Sequence, residues 1–111
     1  MALLSLLPLT VSCGSETPLD AAPSSLKEAR GLAKSVAESG ECSHLEDLDQ
    51  GEAEWVFTCQ NGEGGKNMFV ITVTSGPAGN PLGRPVVAGD HYVVTGGDAE
   101  LLRDFGGQYL S

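Results

Sequence analysis

Apolar and polar positions divide the chain into a few regular runs. Leu26, Ala29, Leu32, Ala33, Val36 and Ala37 recur at the spacing of one helical face, with Lys27, Arg30, Lys34 and Glu38 on the opposite side. This pattern predicts a helix over 25–39. Ser25-Leu26-Lys27-Glu28 has the S-x-x-E form of a capping box. In that motif the Ser25 hydroxyl accepts from the Glu28 N–H, and the Glu28 carboxylate reaches back to the Ser25 N–H. Gly40 stands where a left-handed residue would end the helix. The apolar face is narrow and rich in alanine, which suits close packing on a sheet. It is too small, and too poor in aromatic residues, to lie on a membrane.

From Glu54 the period changes to two. Trp55, Phe57 and Cys59 point one way, and Glu54, Val56, Thr58 and Gln60 the other. Cys59 therefore faces inward with the two large aromatics. Asn61-Gly62-Glu63-Gly64-Gly65-Lys66 predicts a hairpin turn, signalled by its Asn-Gly. Met68–Thr74 is the most strand-like run, with Phe69, Ile71 and Val73 inward. Ser75–Arg84 is a loop rich in Gly and Pro. Pro85–Ala88 and His91–Thr95 fit either a hairpin, with Gly89 opening a type II′ turn, or one longer bent strand. Asp98 caps a short closing helix, Ala99–Phe105, with Leu101, Leu102 and Phe105 inward and Gly106 as its stop. Gly107–Ser111 reads as a tail held by Tyr109 and Leu110. The order α-β-β-β-β-α predicts an α+β fold. It is a small single domain, with an N-terminal helix packed on a three- to four-stranded antiparallel sheet and a short C-terminal helix.

The first residues follow another pattern. Residues 2–11 are uncharged and largely apolar. They are too few to span a bilayer, which needs about 20, but they match the apolar region of a secretion signal, about 7–15 residues long. Ser12 and Cys13 follow, then a polar stretch, Gly14–Ser25, that reads as a solvated tether. Leu9 to Cys13 resembles the lipobox that ends a bacterial lipoprotein signal peptide, where the Cys becomes the lipidated first residue. The match departs from the family pattern at Thr10, where Leu is usual, and no Lys or Arg precedes the apolar run. The layout predicts a truncated-looking signal peptide at 1–12, a lipid-anchored tether at 13–24 and a globular α+β domain at 25–111.

Cysteine count fits that layout. Three cysteines is an odd number for an exported chain. If Cys13 carries lipid, Cys42 and Cys59 are left to pair. Their disulfide would pin the Trp55 strand to the end of the helix, closing a loop of about 16 residues for roughly 3 kcal/mol. The wide spacing and acidic surroundings argue against a redox pair.

Charge excludes some partners. The net charge is −9, which disfavours nucleic acid and electrostatic attachment to an anionic membrane. Residues 41–54 hold Glu41, Glu46, Asp47, Asp49, Glu52 and Glu54 with no Lys or Arg, and read as a solvated acidic loop. Asp47, Asp49 and Glu52 are the candidates for a cation. The segment starting at Asp47 begins like an EF-hand loop, but its Gly51 falls one position early and Thr58 stands where the closing Glu should be. The 62–67 turn fails as a phosphate loop, since Asn67 follows Lys66 and strands flank it. His44 and His91 are the only imidazoles, and no nucleophile–base constellation accompanies them. No cofactor is implied.

Together these features resemble, in layout alone, small bacterial lipoproteins of unknown function. The resemblance implies a lipid-anchored domain with one disulfide on the outer face of the cell membrane, with free secretion as the alternative. The functional expectation is a non-catalytic binding or accessory module meeting an envelope protein or a small ligand. The rival is a small cation-dependent protein or enzyme that uses the acidic 41–54 loop and His44.

Overall fold

A computed structural model describes residues 17–61, 67–78, 85–96 and 99–110. Cys13, the signal segment, Lys66, Arg84 and Asp98 lie outside the described residues. The first helix, α1, spans Leu26–Ser39. Ser25 is its N-cap, in extended backbone, and its hydroxyl accepts from the Glu28 N–H at 3.3 Å. The returning carboxylate of the expected capping box goes to a different residue. Glu28 Oε1 accepts from the N–H and the hydroxyl of Ser24, both at 2.8 Å. These bonds hold the Glu28 carboxyl below the usual range, the backbone bond most strongly.

The C-terminus of α1 also differs from the sequence expectation. Gly40 has φ −103° and is not left-handed. The left-handed residue is Glu41, at φ 56°. Cys42 N–H donates to Ala37 O at 2.8 Å and Glu41 N–H to Glu38 O at 3.1 Å. That is the bonding of a Schellman cap with Glu41 in the position glycine usually fills. Gly40 is needed for another reason: a Cβ there would stand 2.6 Å from the Phe105 ring.

Six strands follow: β1 Ser43–Gln50, β2 Glu54–Asn61, β3 Asn67–Thr74, β4 Val86–Ala88, β5 Tyr92–Gly96 and β6 Gln108–Leu110. A short helix, α2, occupies Ala99–Leu102 between β5 and β6. All pairings are antiparallel, in the order β1-β2-β3-β5-β4-β6. This overturns the expected three- to four-stranded sheet carrying an N-terminal helix. The domain is dominated by a six-stranded sheet, with 43% of the described residues in strands and two helices.

The two additional strands are the sheet's edges, and each hides from a pattern search for a physical reason. In β1 only Leu45 is even half-buried, so no alternation appears, and the stretch reads as an acidic loop. The pairing with β2 instead makes it an eight-residue strand with register shifts between Ser43 and Glu46 and between Asp47 and Asp49. Such irregularities and charges blunt an exposed edge. β6 has three residues, too few for a period, and pairs Tyr109 with Val87. It replaces the tail expected there.

β2, β3, β5 and β4 carry the core. Trp55 pairs with Val73, Phe57 with Ile71, and Cys59 with Phe69; Ile71 and Val73 pair in turn with Val94 and Tyr92. All of these side chains are buried on one face. Ala29, Leu32, Ala33, Val36 and Ala37 of α1 join the same cluster, as do Leu102 and Phe105. The Phe105 ring meets Phe69 edge-on at 5.2 Å between centroids. Ahead of α1, Leu19 packs partly buried against this cluster.

The stretch 85–95 is a hairpin, with Val87 paired to Val94. Its turn differs from the type II′ form. Gly89 N–H donates to Tyr92 O at 2.9 Å, which places Asp90 and His91 at the centre. Glycine is required because a Cβ at position 89 would stand 2.2 Å from the Tyr92 ring. The closing helix stops at Leu102, short of the expected Phe105; Phe105 is buried from the following turn.

Candidate functional site

Cys42 and Cys59 are joined in a disulfide, with Cα atoms 5.6 Å apart. Cys42 is the second residue beyond the cap of α1, and Cys59 lies in β2 opposite Phe69. Both are buried. The bond therefore joins the helix end to the sheet, with Cys59 fully buried and Cys42 nearly so. Beside it, Asn61 Nδ2 donates to Gly40 O at 2.9 Å and Glu41 O at 3.2 Å. Gly40 O is a carbonyl that a helix C-terminus leaves without an intrahelical partner, and Glu41 O is the next along the chain.

A groove of about 440 Å³ runs next to this brace, between α1 and β1. Arg30, Lys34, Ala37 and Glu38 form its helix wall. Their spacing follows from the helix: four and then three or four residues apart, they stack on one stripe. Cys42, Ser43, His44 and Leu45 form the strand wall. Ala37, Cys42 and Leu45 supply an apolar floor, and the remaining groups stand exposed on the rim. His44 sits at φ 60°, inside the register shift that separates Ser43 from Glu46. Glu41 and His44 are the non-glycine residues with positive φ among those described, and they flank the Cys42–Ser43 step.

Hydrogen bonds link the groups of the rim. The Ser43 hydroxyl donates to Gln60 O at 3.3 Å. Ser43 Oγ also lies 3.0 Å from His44 Nδ1, and the His44 tautomer sets which of the two donates. Arg30 binds Asp47 of β1 through Nε to Oδ1 at 3.3 Å and through one Nη to Oδ2 at 2.5 Å. Gln50 Nε2 also donates to Asp47 Oδ2 at 2.7 Å. The hydrogen bond from Arg30 holds the Asp47 carboxyl below its ordinary value, and the same bond raises the Arg30 guanidinium. No ion pair is found for Lys34 or Glu38 among the described residues.

The cation candidates do not come together. Asp47 is committed to Arg30, Asp49 stands across from Val56, and Glu52 lies exposed in the β1–β2 turn. Among the described residues, no three His, Cys, Asp or Glu side chains are placed to hold a metal ion. His91 lies far along the chain from His44 and bonds through Nδ1 to Gly76 O at 2.7 Å, pinning the loop after β3. No described helix is long and apolar enough to cross a membrane.

Sequence reading missed the groove. Arg30, Lys34 and Glu38 looked like an ordinary solvated helix face, and Ser43 had no evident role. Helical spacing does put the three on one stripe, but nothing in the sequence shows that β1 runs alongside. No protein-family model, no curated protein and no solved structure matches this chain.

Proposed function

We propose that the protein is a non-catalytic binding or accessory module of the bacterial cell envelope, anchored on the outer face of the cell membrane by lipid on Cys13. The observation that carries this reading is the buried Cys42–Cys59 disulfide. Such bonds persist in oxidising compartments and are rare where thiols are kept reduced. Export agrees with the apolar stretch at 2–11 that ends in Ser12-Cys13.

The preference for binding over catalysis rests on the rim. A serine nucleophile needs a base to take its proton. Ser43 Oγ has His44 Nδ1 at 3.0 Å and Gln60 O at 3.3 Å, and among the described residues no carboxylate is hydrogen-bonded to His44 to orient it as a base. An open groove of about 440 Å³ with an apolar floor falls in the size range of small-ligand sites.

Intact mass spectrometry of the native protein extracted from membranes tests the layout. The expected species is a chain beginning at Cys13 with a diacylglyceryl group, gaining the mass of two hydrogens on reduction. A native chain that retains residues 2–12 without lipid would overturn the anchored reading.

A further inference from the structure

We infer that the groove between α1 and β1 binds a small amphipathic carboxylate, its charge on Lys34 and its apolar body over Ala37, Leu45 and the disulfide. This inference rests on the binding-module reading and names a ligand class for the same groove. Several independent observations converge there. The volume of about 440 Å³ suits a compact ligand. The floor is apolar, and the Cys42–Cys59 disulfide ties it covalently to β2. On the strand wall His44 has a positive φ, 60°, a backbone region that is uncommon outside glycine and found at functional sites.

Charge selects the sign of the ligand. The chain as a whole is at −9, but α1 is its basic element, with Lys27, Arg30 and Lys34 against Glu28 and Glu38. Glu28 is turned to Ser24. Asp47 neutralises Arg30, but it occupies only Nε and one Nη, and the guanidinium keeps further donors on its other Nη. Lys34 is left as the cation without an ion-pair partner on the groove wall, among the described residues. Glu38, one turn further along, opposes an anion. A second copy of this acidic chain is disfavoured as occupant by its own charge, and a purely apolar ligand would leave Lys34 unused.

The carboxylate could belong to a free acid or to the C-terminus of a peptide. Amide NMR titrations of the full chain with octanoate and with N-acetyl-L-leucine separate these sources. N-acetyl-L-leucinamide is the uncharged control. The expected result is saturable shifts at Lys34 and at Ser43–Leu45 with at least one acid, and a much weaker response to the amide. Lys34→Gln should weaken binding by about two- to fivefold, the scale of an exposed charge pair. Glu38→Gln should tighten it, by about twofold or more, because the opposing carboxylate is gone. Both positions are exposed, so neither change threatens the fold. Shifts absent from the groove, an equal response to the amide, or unchanged affinity in Lys34→Gln would overturn the inference. None of these results touches the anchored-module reading, which the mass of the native chain decides.

Discussion

The side-chain amide of Asn61 donates to the main-chain oxygen of Gly40 at 2.9 Å. One bond thus ties the last residue of β2 to the cap of α1. Two residues earlier in the same strand, Cys59 is bonded to Cys42, two residues beyond the same cap. Helix and sheet are joined twice within a few residues, once covalently and once by hydrogen bonds. The groove wall from Cys42 to Leu45 starts at this joint.

Removing the Asn61 amide leaves the Gly40 and Glu41 carbonyls without that donor. Asn61→Ala should cost about 1–2 kcal/mol, the penalty for stranding partly buried acceptors. Urea denaturation followed by Trp55 fluorescence measures it. An unmoved midpoint would mean that water replaces the amide at no cost.

Replacing both cysteines by alanine removes a cross-link over a separation of 17 residues. The loss should be about 3 kcal/mol, from the added freedom of the unfolded chain. That is a large part of the roughly 5–10 kcal/mol available to a domain of this size. The double variant should melt well below the parent, and a melting temperature within a degree would refute the brace.

Glu41 offers the opposite outcome. A left-handed conformation costs an ordinary L-residue about 1–2 kcal/mol, and glycine adds about 0.4–1 kcal/mol of unfolded-state freedom. Glu41→Gly should therefore stabilise by about 0.5–1 kcal/mol. Gly40→Ala, one residue earlier, should destabilise, because its methyl group would meet the Phe105 ring. A paired denaturation series reads both signs at once.

Asp47 sets part of the acid response. The bond from Arg30 depresses its folded pKa, with help from Gln50. A depressed carboxyl stabilises the fold above its unfolded value, near 3.8, and that stabilisation is lost as pH falls through the lower folded value. Asp47→Asn should lower stability at neutral pH and flatten the stability curve below about pH 4. The effect is small, since both partners are exposed to solvent. Melting temperatures from pH 7 down to 2 give the comparison.

Tyr92 sets part of the alkaline response. Burial, with some repulsion from Asp90, raises its hydroxyl above its ordinary value of 10.0. The folded state thus favours the neutral phenol, and the associated stability is lost as pH rises through the raised value. Its hydroxyl donates to Gly106 O at 2.5 Å. Tyr92→Phe should cost about 1–2 kcal/mol at neutral pH, and should shrink the fall in stability above about pH 10. An equal alkaline slope in the variant would assign that slope to other groups.

Some elements were legible in the sequence because period and burial coincide there. α1, β2 and β3 each have one buried face, and their inward residues follow from spacing alone: Ala29 to Ala37, Trp55 to Cys59, Phe69 to Val73. The Cys42–Cys59 bond matches the pairing expected from the inward direction of Cys59 and the place of Cys42 just past the helix, with Cys13 set aside for lipid. Strand β1 was not legible, because an edge strand carrying charges has no periodic signal. The left-handed residue is Glu41 where Gly40 was expected, and the need for glycine at position 40 comes from the Phe105 ring, far along the chain, which takes the space of a Cβ there.

The chain by itself determined which residues of α1, β2 and β3 go inside. That outcome depends on solvation and on local spacing, which are properties of neighbouring residues. The tertiary structure alone decided the number of strands, the left-handed turn at Glu41, and the groove that sets Lys34 and Glu38 beside His44. These depend on residues far apart in the chain, brought together by the pairing of β1 with β2 and by the packing of α1 beside them. No window of sequence contains both sides of such a contact.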